Sequence, residues 1–173
     1  MNQLWAPWRM AYIAGIGHKD EGCIFCKKPE ENKDRENLIL YRGKQCFIIM
    51  NLFPYNNGHL MVVPYAHCPD IGFLDKQASS EVWECICLSR KALTETLHPD
   101  GFNIGINLGR TAGAGIDTHL HVHIVPRWNG DTNFMPVLGE AKVISQALHE
   151  TYDALLPAFR STAGTSSAAS STR

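Results

Sequence analysis

His119-Leu120-His121-Val122-His123-Ile124-Val125-Pro126-Arg127 is the stretch around which the rest of the chain arranges itself. Three histidines alternate with apolar residues, and a proline and an arginine close the run. Alternation with period two is the pattern of a half-buried β-strand. It predicts that Leu120, Val122 and Ile124 enter a core while the three imidazoles leave one face together. Same-face residues on a strand stand roughly 7 Å apart, so several imidazoles could act on one small polyanion. The glycine-rich Gly113-Ala114-Gly115 just upstream makes a chance polar face a poor explanation.

Outward from this run, the chain reads as strands arriving in hairpins with one long helix between them. Leu38 to Arg42 and Cys46 to Leu52 pair across the Gly43-Lys44 turn, and His59 to Pro64 forms a third strand. Asp75 to Leu97 is the first long helix, with Ser79 or Ser80 as its expected cap and a stripe of Val82, Cys85, Ile86, Ser89, Leu93 and Leu97. His98-Pro99-Asp100-Gly101 stops it. Phe102 to Leu108 is the fourth strand, the histidine run the fifth, and Glu140 to Phe159 a second helix. The expected fold class is α+β, a mainly antiparallel five-stranded sheet with two main helices. Residues 1–160 form a single domain that begins with an irregular arm, 1–17. Residues 161–173, nearly all Ser, Thr, Ala and Gly, are too polar and small to order themselves.

The totals bound the function. A chain of 173 residues with a 45% apolar share suits one ordinary domain, and a formal net charge of −1 gives no pull toward nucleic acid polymers or anionic membranes. No apolar run is long enough to span a bilayer, and no signal-peptide core opens the chain, so the expected compartment is the reducing cytoplasm. There the six cysteines are not expected to form disulfides. Cys46, Cys85 and Cys87 read as small buried apolar side chains. Cys23-Ile24-Phe25-Cys26 suits either a metal knuckle or a dithiol redox pair. A redox pair should open a helix after a strand, in a βαβ unit, whereas this one precedes a charged, proline-containing loop from Lys27 to Asn37, which favours metal.

The His-x-His-x-His run with apolar x resembles the signature of the histidine-triad family of nucleotide hydrolases and transferases, and the similarity extends from about Cys23 to Arg127. Asn129-Gly130-Asp131-Thr132-Asn133-Phe134 resembles the diadenosine tetraphosphate phosphorylase branch in particular. The resemblance implies an antiparallel sheet with helices, a homodimer, and a purine nucleotide or dinucleoside polyphosphate as substrate. It implies His121 as the nucleophile that becomes nucleotidylated and His123 as a ligand of the phosphate oxygens. Asn51 matches the position on the ribose hydroxyls, His59 a polar residue beside the triad, Asn107 an asparagine near the phosphates, and Asn133 a residue of the phosphorylase-like segment. Arg127 reaches a distal phosphate or is a solvated charge at a strand end.

The same resemblance implies a structural zinc ion on Cys23, Cys26, His67 and His119, a closed site of the Cys₂His₂ kind. In one respect the chain departs from the family. Many triad proteins carry Gln-Ser or Gln-Thr just before the triad, where it helps protonate a leaving amine. Here Gly115-Ile116 stand in those places, with Asp117-Thr118 following, and Thr118 is the one hydroxyl that could substitute. The expectation is therefore cleavage of a phosphoanhydride, with diadenosine tetraphosphate and inorganic phosphate as the lead pair. An adenosine monophosphoramidase and a non-catalytic nucleotide-binding zinc protein are the alternatives.

Overall fold

The computed structural model describes residues 22–131 and 147–163. In chain order the elements are α1 (Ile24–Glu30), α2 (Asp34–Asn37), β1 (Ile39–Arg42), β2 (Cys46–Met50), β3 (Leu60–Pro64), α3 (Lys76–Leu97), β4 (Gly101–Ile106), β5 (Val122–Arg127) and α4 (Leu148–Ala163), with single 3₁₀ turns at Ile71–Phe73 and Arg110–Ala112. The five strands form one sheet in the order β1-β2-β3-β5-β4, every neighbouring pair antiparallel. The α+β expectation holds.

The apolar runs Cys46–Met50 and Leu60–Pro64 are buried throughout, because both faces of the sheet centre are covered. α3 lies against β2 and β3, and α4 against β1 and α3. Register carries the site. Ile49 faces Met61, and Met61 faces His123, so these three share one face of the sheet. Gly58 has φ +70°, and a Cβ there would stand 2.6 Å from Leu97 Cδ1, so only glycine lets the turn before β3 pass under α3.

Several boundaries differ from expectation. α3 is capped by Asp75, which accepts a 2.8 Å bond from Ala78 N, so the helix starts a turn before Ser79 and Ser80. Glu81 thereby sits inside the helix, and its carboxylate accepts from Gln45 N and Cys46 N at the β1–β2 hairpin. The presumed loop after Cys26 is helical in α1 and α2. Cys23 and Cys26 therefore do open a helix, but no strand precedes it among the described residues, so the strand–helix–strand setting of a dithiol pair is not met. Cys87 is exposed, unlike the buried Cys46 and Cys85, because it lies on the other side of α3. Helix α4 extends to Ala163, three residues into the segment expected to be disordered. The arm 1–17, residues 140–146 of the expected second helix and the remainder of the tail lie outside the described residues.

The histidine run also differs. Strand pairing begins only at Val122; His119 stands at a bend, and Leu120 N bonds to Cys68 O (2.6 Å) instead of to a strand. All three imidazoles are buried. His121 and His123 line one cleft, whereas His119 belongs to a separate cluster with Cys23, Cys26 and His67.

Candidate active site and metal centre

The hydrogen-bond partners of the triad assign each ring a different tautomer. His121 Nδ1 lies 2.8 Å from the carbonyl of His119. A carbonyl only accepts, so Nδ1 carries the proton and Nε2 is left bare. His119 Nε2 lies 2.8 Å from the carbonyl of Pro64, so here the proton is on Nε2 and Nδ1 is bare. His123 is set at one remove. The Tyr55 backbone N–H (3.0 Å) and Asn51 Nδ2 (3.3 Å) both donate to His59 Nδ1. His59 then holds its proton on Nε2 and donates it across 3.0 Å to His123 Nδ1. His123 Nδ1 is thus an acceptor, and its Nε2–H is a donor.

His121 and His123 line a cleft of about 230 Å³, together with Phe25, Asn51, Tyr55, Met61, Gly113, Gly115 and Ile116. Their rings meet edge to face at 4.8 Å. Burial pushes all three triad imidazoles below the usual histidine range. His123 falls to about 4, first through burial and then through the neighbouring His121. Neutral rings are what the cleft needs. A neutral His121 offers a lone pair to an electrophile, and a neutral His123 donates one hydrogen bond to an oxygen.

The bare Nδ1 of His119 faces a second cluster. It lies 3.2 Å from Cys23 Sγ, 3.6 Å from Cys26 Sγ and 3.2 Å from His67 Nδ1, while Cys26 Sγ and His67 Nδ1 are 3.4 Å apart. All four ligand atoms lie within 4.8 Å of one another. Bonds of about 2.0 Å to nitrogen and 2.3 Å to sulfur give a tetrahedron edges of about 3.3–3.8 Å, so two thiols and two imidazoles at these spacings fit one zinc ion. Burial and the adjacent Cys23 push the Cys26 thiol up to about 11, and a bound cation reverses that balance.

Asn51 lies just beyond β2 on the cleft wall, its Oδ1 accepting from Phe53 N and its amide turned to His59. His59 stands behind His123, not on the wall. Asn107 follows the last paired position of β4, and Thr118 is exposed; neither lines the cleft. Arg127 is turned away from it. Its guanidinium grips Asp131 (2.6 and 2.8 Å) and Asn103 (2.7 Å), and Asp131 also accepts from Asn56 Nδ2 and Trp128 N. Its partners make it a clasp at the end of β5. Asn133 lies outside the described residues. Sequence reasoning missed Phe25, whose ring lies 5.2 Å from that of His121 and 5.5 Å from that of His119. Its place between the two CxxC cysteines was the available signal. It also missed Tyr55 and Lys28, which line the same cleft.

The HIT domain model matches residues 32–130. The chain is 39% identical over 158 residues to the AP-4-A phosphorylase of Mycobacterium tuberculosis (strain CDC 1551 / Oshkosh), covering 87% of this chain and 80% of that protein. The crystal structure of a zinc-bound histidine triad family protein from Mycobacterium smegmatis superposes with a TM-score of 0.66 at 25% identity, over 83% of this chain and 96% of that one. A histidine triad nucleotide-binding protein from Sulfolobus tokodaii, ST2152, gives a TM-score of 0.63 at 26% identity, over 81% and 91%.

Proposed function

The chain belongs to the HIT domain family of nucleotide transferases and hydrolases, and from that premise we propose that it cleaves diadenosine tetraphosphate by phosphorolysis through a nucleotidyl-histidine on His121. The single observation that carries this reading is the bond from His121 Nδ1 to the His119 carbonyl, which leaves Nε2 unprotonated beside a neutral, donating His123. His121 Nε2 attacks the α-phosphorus, and the bond to the bridging oxygen breaks with departure of adenosine triphosphate. Inorganic phosphate then attacks the phosphorus of the adduct, and adenosine diphosphate leaves as His121 is regenerated. His123 Nε2–H steadies the charge on a non-bridging oxygen through both steps. Asn51 is assigned to the ribose hydroxyls.

The wall before the triad supports an anhydride over an amine leaving group. Gly113, Gly115 and Ile116 bring no side-chain hydroxyl or amide to the cleft, and Thr118 points elsewhere. A nucleoside polyphosphate leaves without a proton; an amine does not. Cys23, Cys26, His67 and His119 would hold a zinc ion, which supplies a structural crosslink and no chemistry of its own to the transfer. Reduced thiols in that role agree with a cytoplasmic setting. We also read β4, an edge strand exposing Ile104 and Ile106, as the contact between two copies of the chain.

The test is a turnover assay with and without inorganic phosphate. Adenosine diphosphate should form only when phosphate is supplied, and protein quenched in alkaline denaturant, where the acid-labile P–N bond survives, should carry adenylate on His121. Hydrolysis to adenosine monophosphate at equal rate without phosphate would reject phosphorolysis, and full activity in His121→Asn would reject the mechanism.

A further inference from the structure

We propose that Lys28 reads the base of the bound nucleotide, and that its head group favours a 6-oxopurine over a 6-aminopurine. This rests on the nucleotide reading of the cleft and widens its substrates from diadenosine tetraphosphate to dinucleoside tetraphosphates that carry guanine, which the cleft binds more tightly. Among the described residues that line the cleft, Lys28 is the only charged one; Ile24, Phe25, Ile49, Leu52 and Phe53 are among its apolar lining.

Its position follows from α1. Lys28 lies three residues after Phe25 and four after Ile24, so all three share one face of the helix. Phe25 rests on the ring of His121, which marks the phosphate end of the cleft. Lys28 is one turn farther along, about 5 Å. We assign the base to this end of the cleft, among its apolar lining residues, with the phosphate on His121 and His123. The backbone there is anchored, since Asn37 Nδ2 donates to the Lys28 carbonyl at 3.3 Å and to Glu31 Oε2 at 2.8 Å.

The ammonium itself makes no hydrogen bond or ion pair among the described residues. Burial pushes Lys28 below the usual lysine range, with the charge of Glu31 offsetting part of the effect. A partly desolvated cation of this kind gains most from a ligand that accepts its hydrogen bonds.

Selectivity comes from what an ammonium cannot do. It carries three donors and no acceptor. Guanine presents two adjacent acceptors, N7 and O6, along one edge. Adenine presents N7 beside an amino group that is itself a donor. The same lysine therefore makes two compatible contacts with one base and a single contact, next to a repelling donor, with the other.

Calorimetry on the full chain tests this with adenosine and guanosine monophosphates as probes, on the wild type, Lys28→Met and Lys28→Gln. Guanosine monophosphate should bind several-fold more tightly to the wild type. Lys28→Met, similar in length, should weaken it roughly tenfold, one charge-assisted hydrogen bond, and should weaken adenosine monophosphate less. Lys28→Gln, which accepts as well as donates, should shift the preference toward adenine. Thermal melts of the variants report folding. Binding of both nucleotides with a ratio unchanged in Lys28→Met overturns the role of Lys28 while leaving the nucleotide reading intact. Failure of both to bind the wild type rejects that reading, and this proposal with it. If Lys28→Met, built on His121→Asn, loses affinity only for an intact dinucleoside tetraphosphate, the lysine serves distal phosphates and the base assignment is wrong.

Discussion

His59 Nε2 lies 3.0 Å from His123 Nδ1, and both rings are buried. Because Tyr55 N–H occupies the far nitrogen of His59, this one contact decides which nitrogen of His123 points a proton into the cleft. The consequence is kinetic. His59→Phe removes the donor and frees His123 to adopt the other tautomer. We expect kcat to fall about 10- to 100-fold, the usual cost of losing an orienting partner, with KM little changed. His59→Gln keeps a donor and should recover part of the rate. Steady-state kinetics on the three proteins check this, and nitrogen NMR of His123 reads the tautomer directly.

Acid should destabilise the fold through His123. Its value in the folded state is about 4, against 6.5 for a free histidine. Between those values the unfolded chain binds the proton and the folded chain does not. The contribution of this burial to stability is thus complete above about pH 6.5, and it is lost as pH falls to about 4. The difference corresponds to about 3 kcal/mol. Urea unfolding at pH 7.5 and 4.5 should show a steeper loss in the wild type than in His123→Phe. Equal losses would contradict the assignment.

Removal of metal should loosen the joint between α1 and the triad. The four ligands come from three separated segments, so a bound ion closes long loops. One zinc per chain is expected by elemental analysis. Chelation should lower Tm by roughly 10 °C, on the order of 3–4 kcal/mol for a domain of this size. His67→Ala should reproduce most of that shift, and unchanged melting after verified zinc loss would sink the structural role.

Gly58→Ala tests the approach of the chain beneath α3. Its φ of +70° and the side chains of Leu97 and Leu93, 2.6 and 3.0 Å from the added methyl, oppose any Cβ. A loss of about 1–3 kcal/mol is expected by thermal or urea unfolding, with the active-site residues untouched.

Ile104→Lys tests the pairing of two copies. Ile104 is 44% exposed on β4, which ends the sheet. Light scattering of the wild type should give the mass of a dimer, and a lysine on this strand should shift it toward the monomer. A monomeric wild type would dismiss the edge as an interface.

Local pattern was enough to find the elements. The continuous apolar runs Cys46–Met50 and Leu60–Pro64, the helical stripe from Val82 to Leu93 and the His98 to Gly101 stop are effects of neighbours within a few residues, and the structure keeps them. The order His-x-His-x-His and the CxxC pair were likewise visible as chemistry waiting for a place. The division of labour among the three imidazoles was not. It depends on hydrogen-bond partners that arrive from far along the chain: the accepting Pro64 carbonyl for His119 and the donating ring of His59 for His123, separated by 55 and 64 residues. The same holds for Arg127, which any reading of residue type offers to a phosphate and which Asp131 and Asn103 instead hold at the surface. Periodicity tells which way a side chain leaves the backbone. Only the packed structure supplies the partner, and in a buried site the partner decides where the proton sits.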